Sequence, residues 1–376
     1  MDEVLTQKKE EEEGKRRKEE EYKRTEGEHD KRKEEEDEAK NEEIVPPDGG
    51  IWAWMVLVSC FLVNGIIFGV INTFGILFVK LKSDLEKAGV EDAALKCSLV
   101  GSLTIGSTFL LSFLVGIVSD KIGLRFTALI GGVIATLGMG LSSLHFHSVE
   151  VLYVSYGILF GAGSSMVYTP SLTILGHYFR KHLGVVNGVV TAGSSVFTIV
   201  LSFTNTYILE HYGVQACLQM FTMLTAVTIL ASLTFVPVLP PPAIVHTKHQ
   251  SKFRELVQKV IYLPNWKNKR YVIWALAIPT ALFGYFVPYV HLVEFAKNIP
   301  LDENEHMNGE KASTLVACIG ITSGLGRLIF GKLSDHSRIK VNGNRIILQQ
   351  IAFVAIGEIR ISDVTLNSCT SESELN

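Results

Sequence analysis

Charge is what most of this chain lacks. Only 19% of its 376 residues are Asp, Glu, Lys or Arg, and residues 1–43 hold 12 of the 35 basic and 19 of the 38 acidic groups, a local net of −7. The rest nets +4 and is far more apolar than the overall 47% hydrophobic content suggests. Uncharged runs there exceed the roughly 18 apolar residues that read as a membrane span, which excludes a soluble single-core domain. Cysteine is scarce as well. Cys60, Cys97, Cys217, Cys318 and Cys369 are widely spaced and four sit in or at apolar runs, so neither a disulfide framework nor a metal site is expected. No G-x-x-x-x-G-K-[ST] loop is present, which excludes an ATP-driven pump housed in this chain. No nucleophile, base and orienting group converge in any loop, so no enzyme, no cofactor and no nucleic-acid partner is expected.

What is present is a series of spans. Uncharged runs occupy 52–79, 97–119, 126–149, 151–179, 182–209, 211–247 and 271–293, and an eighth, 312–331, is interrupted only by Arg327. A helix of about 20 residues crosses a hydrocarbon core about 30 Å thick. Backbone groups cannot go unpaired in lipid, so the runs predict helices and an all-α polytopic membrane protein. The 32 glycines suit close helix–helix contact.

Loop charge predicts orientation. The loops at 120–125 and 180–182 are basic, as are 332–345 and especially the 240–270 connection, where seven basic residues face Glu255 alone. The alternate loops are neutral or acidic, and 294–311 has five acids against Lys297 and Lys311. The positive-inside bias then puts the N-terminus and the even-numbered loops in the cytosol. A charged stretch precedes the first run and nothing resembles a cleavage site, so no secretory leader is expected. Residues 1–43 have no apolar face and read as disordered or as a fraying solvated helix.

An internal repeat organises the spans. Gly116-Ile-Val-Ser-Asp120-Lys121-Ile-Gly123-Leu-Arg125 closes the second span and opens the third; Gly331-Lys332-Leu333-Ser334-Asp335 closes the eighth. Both read G-x-x-x-D, 215 residues and six spans apart. This resembles the major facilitator superfamily, and the resemblance implies that fold: a complete six-helix N-terminal half plus two helices of the C-terminal half. It also implies gating roles for Gly116, Asp120, Lys121, Arg125, Gly331 and Asp335. Each glycine would let neighbouring helices approach, and each aspartate would meet helix dipoles and basic groups across the cytosolic gate. A plain charged loop end is the alternative. The expected organisation is a charged cytosolic tail (1–47), the six-helix half (48–240), a basic linker (241–270), a partial second half (271–345) and an aberrant tail (346–376).

Further motifs resemble the monocarboxylate transporter family. Asp48-Gly49-Gly50-Ile51-Trp52-Ala53-Trp54 resembles its signature before the first span, with Ile51 as an extra residue, and YFRKHLGVVNGVVTAGSS at 178–195 resembles its fourth-to-fifth-span motif. Residues 156–179, 284–292 and 318–335 are similar to the branch carrying aromatic amino acids and thyroid hormones. Departures inform as well. The family's proton-coupled lactate carriers have a lysine aligned with Asn72 and an aspartate aligned with Ser323, so the resemblance implies uncoupled facilitated diffusion. The thyroid-hormone-preferring member has a histidine aligned with Ile71, which tilts the expected substrate towards aromatic amino acids. The implied setting is a multi-pass protein of the plasma membrane. Its implied partners are the lipid bilayer, a small aromatic amino acid or related carboxylate, and full-length copies or an ancillary membrane subunit.

Six residues stand out as substrate-site candidates. Arg327 costs roughly 2.5–3.5 kcal/mol at a helix centre. It either snorkels to the interface or offers a planar cation that grips a carboxylate with two parallel hydrogen bonds. His291 is an interfacial histidine or a partner for a phenol or carboxylate. Asn72 is a mid-span amide for substrate or for a neighbouring helix. Tyr168 and Thr169 precede Pro170, where the missing N–H frees a carbonyl, and Tyr168 can stack on an aromatic substrate or pack. Tyr285 belongs to an aromatic cluster in the seventh span.

A carrier of this superfamily has twelve spans. The twelve residues 346–357 would cover only about 18 Å as a helix before Glu358 and Arg360. The expectation is therefore a truncated product in which transport by this form alone is doubtful. The alternatives are a proton-coupled carrier and a non-transporting regulatory membrane protein.

Overall fold

The computed structural model describes residues 48–238, 266, 269, 271–273, 275, 276, 286, 290–294, 300–302, 305, 306 and 309–335. The expected cytosolic tail, most of the basic linker and of the seventh run, Tyr285, and residues 336–376 lie outside the described residues.

Where it is described, the chain is helical, as a backbone in lipid must be. Helix α1 runs Ile51–Lys87, broken only at Thr73. Helix α2 runs Ala93–Leu110 and continues beyond Leu111 as Ser112–Ile122. Then come α3 (Leu124–Leu144), α4 (Val149–Tyr178), α5 (Leu183–His211), α6 (Gly213–Ser232) and α7 (Gly309–Ser334). Seven of the described helices are long and apolar enough to cross a membrane. A short antiparallel pair, β1 (Pro300–Asp302) and β2 (Glu305–His306), precedes α7 and departs from the all-helical expectation.

Three boundaries differ from the apolar runs. Helix α1 extends to Lys87, because charge limits immersion in lipid and not helical hydrogen bonding. Helix α6 stops at Ser232, although the uncharged run continues to 247, because prolines at 237 and 240–242 are uncharged without being helix formers. Within α4, Tyr153–Phe160 is π-helical, a widening that hydrophobic pattern does not encode. The turn between α2 and α3 is made by Gly123 at φ 90°, a value that favours glycine.

Lipid offers no hydrophobic force to pull helices together, so close packing and buried hydrogen bonds hold them. At the α3–α4 crossing a Cβ on Gly163 would lie 2.3 Å from the Ala135 backbone nitrogen, so only glycine fits. Helices α1 and α5 are tied by Asn72 Nδ2 to Thr198 Oγ1 (3.0 Å) and by Asn205 Nδ2 to Thr73 Oγ1 (2.9 Å). Such ties contribute about 0.6–2 kcal/mol each in a bilayer. Helix α5 packs against α1 on one side and α7 on another. Large apolar residues such as Leu110, Leu137, Val154, Met223 and Leu230 stay exposed on the outside, as a lipid-facing surface requires.

Candidate functional site

Between these helices lies a cavity of about 300 Å³. Asn64, Phe68 and Asn72 line it from one stripe of α1, since residues four apart share a helix face. Phe109 comes from α2, Tyr168 from α4, Thr191 and Ser194 from α5, and Arg327 from α7, with Phe286 completing the wall.

One wall is aromatic. The Tyr168 ring meets Phe68 edge-on at 5.0 Å and Phe109 at 6.5 Å, and Phe109 lies 5.7 Å from Phe286. Such geometry is favourable beyond area burial and presents both ring faces and ring edges. The other wall carries the cation. Arg327 Nη1 donates to the Thr191 carbonyl at 2.5 Å and to the Ser194 hydroxyl. These contacts turn the guanidinium towards α5 and the cavity, so Arg327 does not snorkel away from it. The fork has five donors, and both bonds fall on one nitrogen.

Three of the six expected substrate-site residues come together here: Arg327, Asn72 and Tyr168. Thr169 does not line the cavity, because the next residue along a helix points about 100° away; its hydroxyl is buried and accepts or donates no hydrogen bond among the described residues. His291 does not line the cavity either. It is exposed, its ring 5.6 Å from Phe78, and it lies 3.8 Å from Glu294, which pairs with Lys82 at 2.5 Å. That cluster sits beyond the cavity, at the Lys87 end of α1. Tyr285 lies outside the described residues, although its neighbour Phe286 is in the wall.

The two copies of the repeat are unequal. Gly331 meets α5 closely, and a Cβ there would lie 2.9 Å from the Gly184 carbonyl oxygen and 3.0 Å from Gly188 Cα. Asp335 accepts from the Gly184 and Val185 amides at 3.1 and 2.8 Å, capping the start of α5. Gly116 differs, since a Cβ there would meet nothing within 4 Å among the described residues. Asp120 and Lys121 are exposed and Arg125 is half-buried, and none of the three makes an ion pair among the described residues. The repeat encodes spacing; a partner helix must be packed alongside for the contact to exist.

The signature before the first span and the 178–195 motif meet physically. Asp48 Oδ1 accepts from the Arg180 and Lys181 amides at 2.6 and 2.8 Å, and Trp54 packs edge-on against Phe179 at 6.2 Å. Those two amide bonds, aided by the Lys181 charge, hold the Asp48 carboxyl below its ordinary value of 3.8. Helix α1 starts at the extra residue Ile51.

Sequence reasoning missed Asn64, Phe68, Phe109, Phe286, Thr191 and Ser194. The Asn64–Phe68–Asn72 spacing was available as a polar stripe inside an apolar helix. Nothing in the pattern separated Phe109 or Phe286 from the lipid-facing phenylalanines.

Comparison with known proteins agrees with this architecture. The family model of the Major Facilitator Superfamily matches residues 57–359. Monocarboxylate transporter 10 of Danio rerio is 42% identical over 318 residues, which cover 84% of this chain and 60% of that protein. Monocarboxylate transporter 10 of Homo sapiens is 38% identical over 324 residues, covering 82% and 59%. Monocarboxylate transporter 4 of Mus musculus is 27% identical over 297 residues, covering 79% and 60%. The chain thus spans about 60% of the length of these curated relatives. With seven apolar helices among the described residues and a cavity between them, the chain belongs to the Major Facilitator Superfamily as a multi-pass membrane protein, and within that superfamily it is similar to the monocarboxylate transporters.

Proposed function

We propose that this protein carries aromatic amino acids across the plasma membrane by facilitated diffusion, independent of sodium and proton gradients. The observation that carries the reading is the pairing, in one cavity, of the Arg327 guanidinium with the ring cluster of Phe68, Phe109, Tyr168 and Phe286. A guanidinium matches a carboxylate with two parallel bonds, and the rings match an aromatic side chain. Thyroid hormones, which also join rings to an amino acid carboxylate, are a larger second substrate of the same chemistry.

Support for the absence of proton coupling comes from the lining, whose described residues are amides, hydroxyls, rings and one arginine, with no carboxylate to load a proton. The relatives' printed name, monocarboxylate transporter, agrees with an arginine as the anion site. Alternating access would open and close the contact between Asp335 and the first turn of α5, with the N-terminus and the basic loops in the cytosol.

The test is uptake of labelled tryptophan into liposomes holding the purified chain. The expected result is saturable uptake unchanged by a pH or sodium gradient. Uptake driven by an inward proton gradient would instead support a proton-coupled carrier. Binding without uptake would support a non-transporting form that pairs with longer copies or another membrane subunit.

A further inference from the structure

We propose that Asn64 and Asn72 present two acceptor-only oxygens to the cavity and thereby select ligands that carry a protonated α-amino group. This deepens the aromatic amino acid reading and rests on it. Both residues are nearly fully buried, at 1% and 6% exposure, and both line the cavity.

Their orientation follows from which neighbours can only accept. Asn64 Nδ2 donates to the Cys60 carbonyl at 3.0 Å, and a carbonyl has no proton to give, so the amide nitrogen must face it. Its second partner is Ser171 Oγ at 3.2 Å. That hydroxyl gives its one proton to the Tyr168 carbonyl at 2.7 Å, so towards Asn64 it accepts. Asn72 is fixed in the same way. Thr198 Oγ1 gives its proton to the Ser194 carbonyl at 2.7 Å and accepts from Asn72 Nδ2 at 3.0 Å. Both amide nitrogens are thus turned into the protein. Among the described residues no hydrogen bond reaches either Oδ1.

The chemistry of a zwitterion fits this arrangement. A carboxylate goes to Arg327 and has nothing to offer an acceptor oxygen. An ammonium has three donors and suits carbonyl oxygens set beside aromatic faces, and the two acceptors bracket Phe68 one helical turn to either side. A plain monocarboxylate with the same ring leaves buried acceptors unmatched, and a site built to bond a group discriminates against ligands lacking it. Amide oxygens do not titrate near neutrality, so the selection needs no proton from the protein.

The experiment uses the purified full chain in lipid nanodiscs and displaces labelled tryptophan with three ligands of the same ring. These are tryptophan, its des-amino acid, and its N-trimethylated betaine, which keeps the charge but has no N–H. The des-amino acid and the betaine are each expected to bind at least about tenfold more weakly than tryptophan. In Asn64→Leu and Asn72→Leu the gap between tryptophan and the des-amino acid should shrink to about threefold or less. Where a variant does not fold, the ligand series on the unsubstituted chain decides. Betaine binding equal to tryptophan overturns the inference, because ring faces alone then hold the cation; equal binding of the des-amino acid overturns it too. If tryptophan itself does not bind, the aromatic amino acid reading falls and this inference falls with it.

Discussion

Asp335, in the last turn after α7, accepts the backbone amide of Val185 at 2.8 Å, while its other carboxylate oxygen takes that of Gly184 at 3.1 Å. A helix start carries amides with no partner in their own helix and a partial positive charge, and here another helix supplies the anion. Charged-group hydrogen bonds of this kind are worth about 1.5–3 kcal/mol. Asp335→Ala should therefore lower the stability of the purified chain by about 1–3 kcal/mol. Its repeat counterpart, Asp120→Ala, should stay within about 0.5 kcal/mol, as exposed surface changes do. Denaturant unfolding of both variants in detergent checks the contrast, and equal losses would show that the capping geometry carries no special weight.

The glycines of the repeat should differ just as sharply. At Gly331 an added Cβ would press on backbone atoms of Gly184 and Gly188, which cannot rotate away. Gly331→Ala should cost about 1–3 kcal/mol, the usual range for overpacking. At Gly116 none of the described residues lies within 4 Å of an added Cβ, so Gly116→Ala should be neutral or stabilise by up to about 1 kcal/mol through helix propensity. Thermal unfolding of the pair decides, and destabilisation by Gly116→Ala would point to a neighbour at that face.

The helical type of the described spans was legible because lipid permits few backbone solutions, and Arg327 and Asn72 stood out because polar groups are costly within apolar runs. Other features depend on three-dimensional neighbours. Phe68 and Phe109 line the cavity, whereas Phe113 and Phe126 do not, yet all four occupy similar apolar sequence. His291 reads from sequence either as an interfacial histidine or as a partner for a phenol or carboxylate, and only packing shows that its neighbours are Phe78 and Glu294. The repeat suggested two equivalent gates, and only Asp335 has a described helix start to cap. Local rules place a residue on a helix; only packing decides what that face meets.

Arg327→Lys tests whether the guanidinium fork or simple positive charge holds the ligand. Lysine keeps the charge but offers a compact ammonium in place of a planar fork. It would also replace the bond to the Thr191 carbonyl and the contact with Ser194 by a single donor group. Tryptophan binding should weaken about tenfold or more, with the preference for amino acid over des-amino acid retained. Unchanged affinity would mean that charge alone suffices and that the fork serves only to pack α7 against α5.

Asp48 supplies a pH dependence whose direction can be worked out. Its carboxyl is held below the ordinary 3.8, first by the Arg180 amide, then by the Lys181 amide, with burial opposing and the Lys181 charge assisting. A pKa lowered in the folded state means the unfolded chain binds a proton more readily. Stability from this group is thus fully present above the unfolded value and is withdrawn as pH falls through 3.8 towards the lower folded value. Asp48→Asn removes the charge while keeping an oxygen for the two amides. Thermal unfolding should find the variant less stable than the parent at about pH 6, with the difference shrinking towards about pH 3 as the parent carboxylate protonates. Because the site is exposed, salt should also narrow the difference at the higher pH. A constant gap across that pH range would show that Asp48 acts through shape and hydrogen bonding, and that its negative charge is not what ties the start of α1 to the α4–α5 loop.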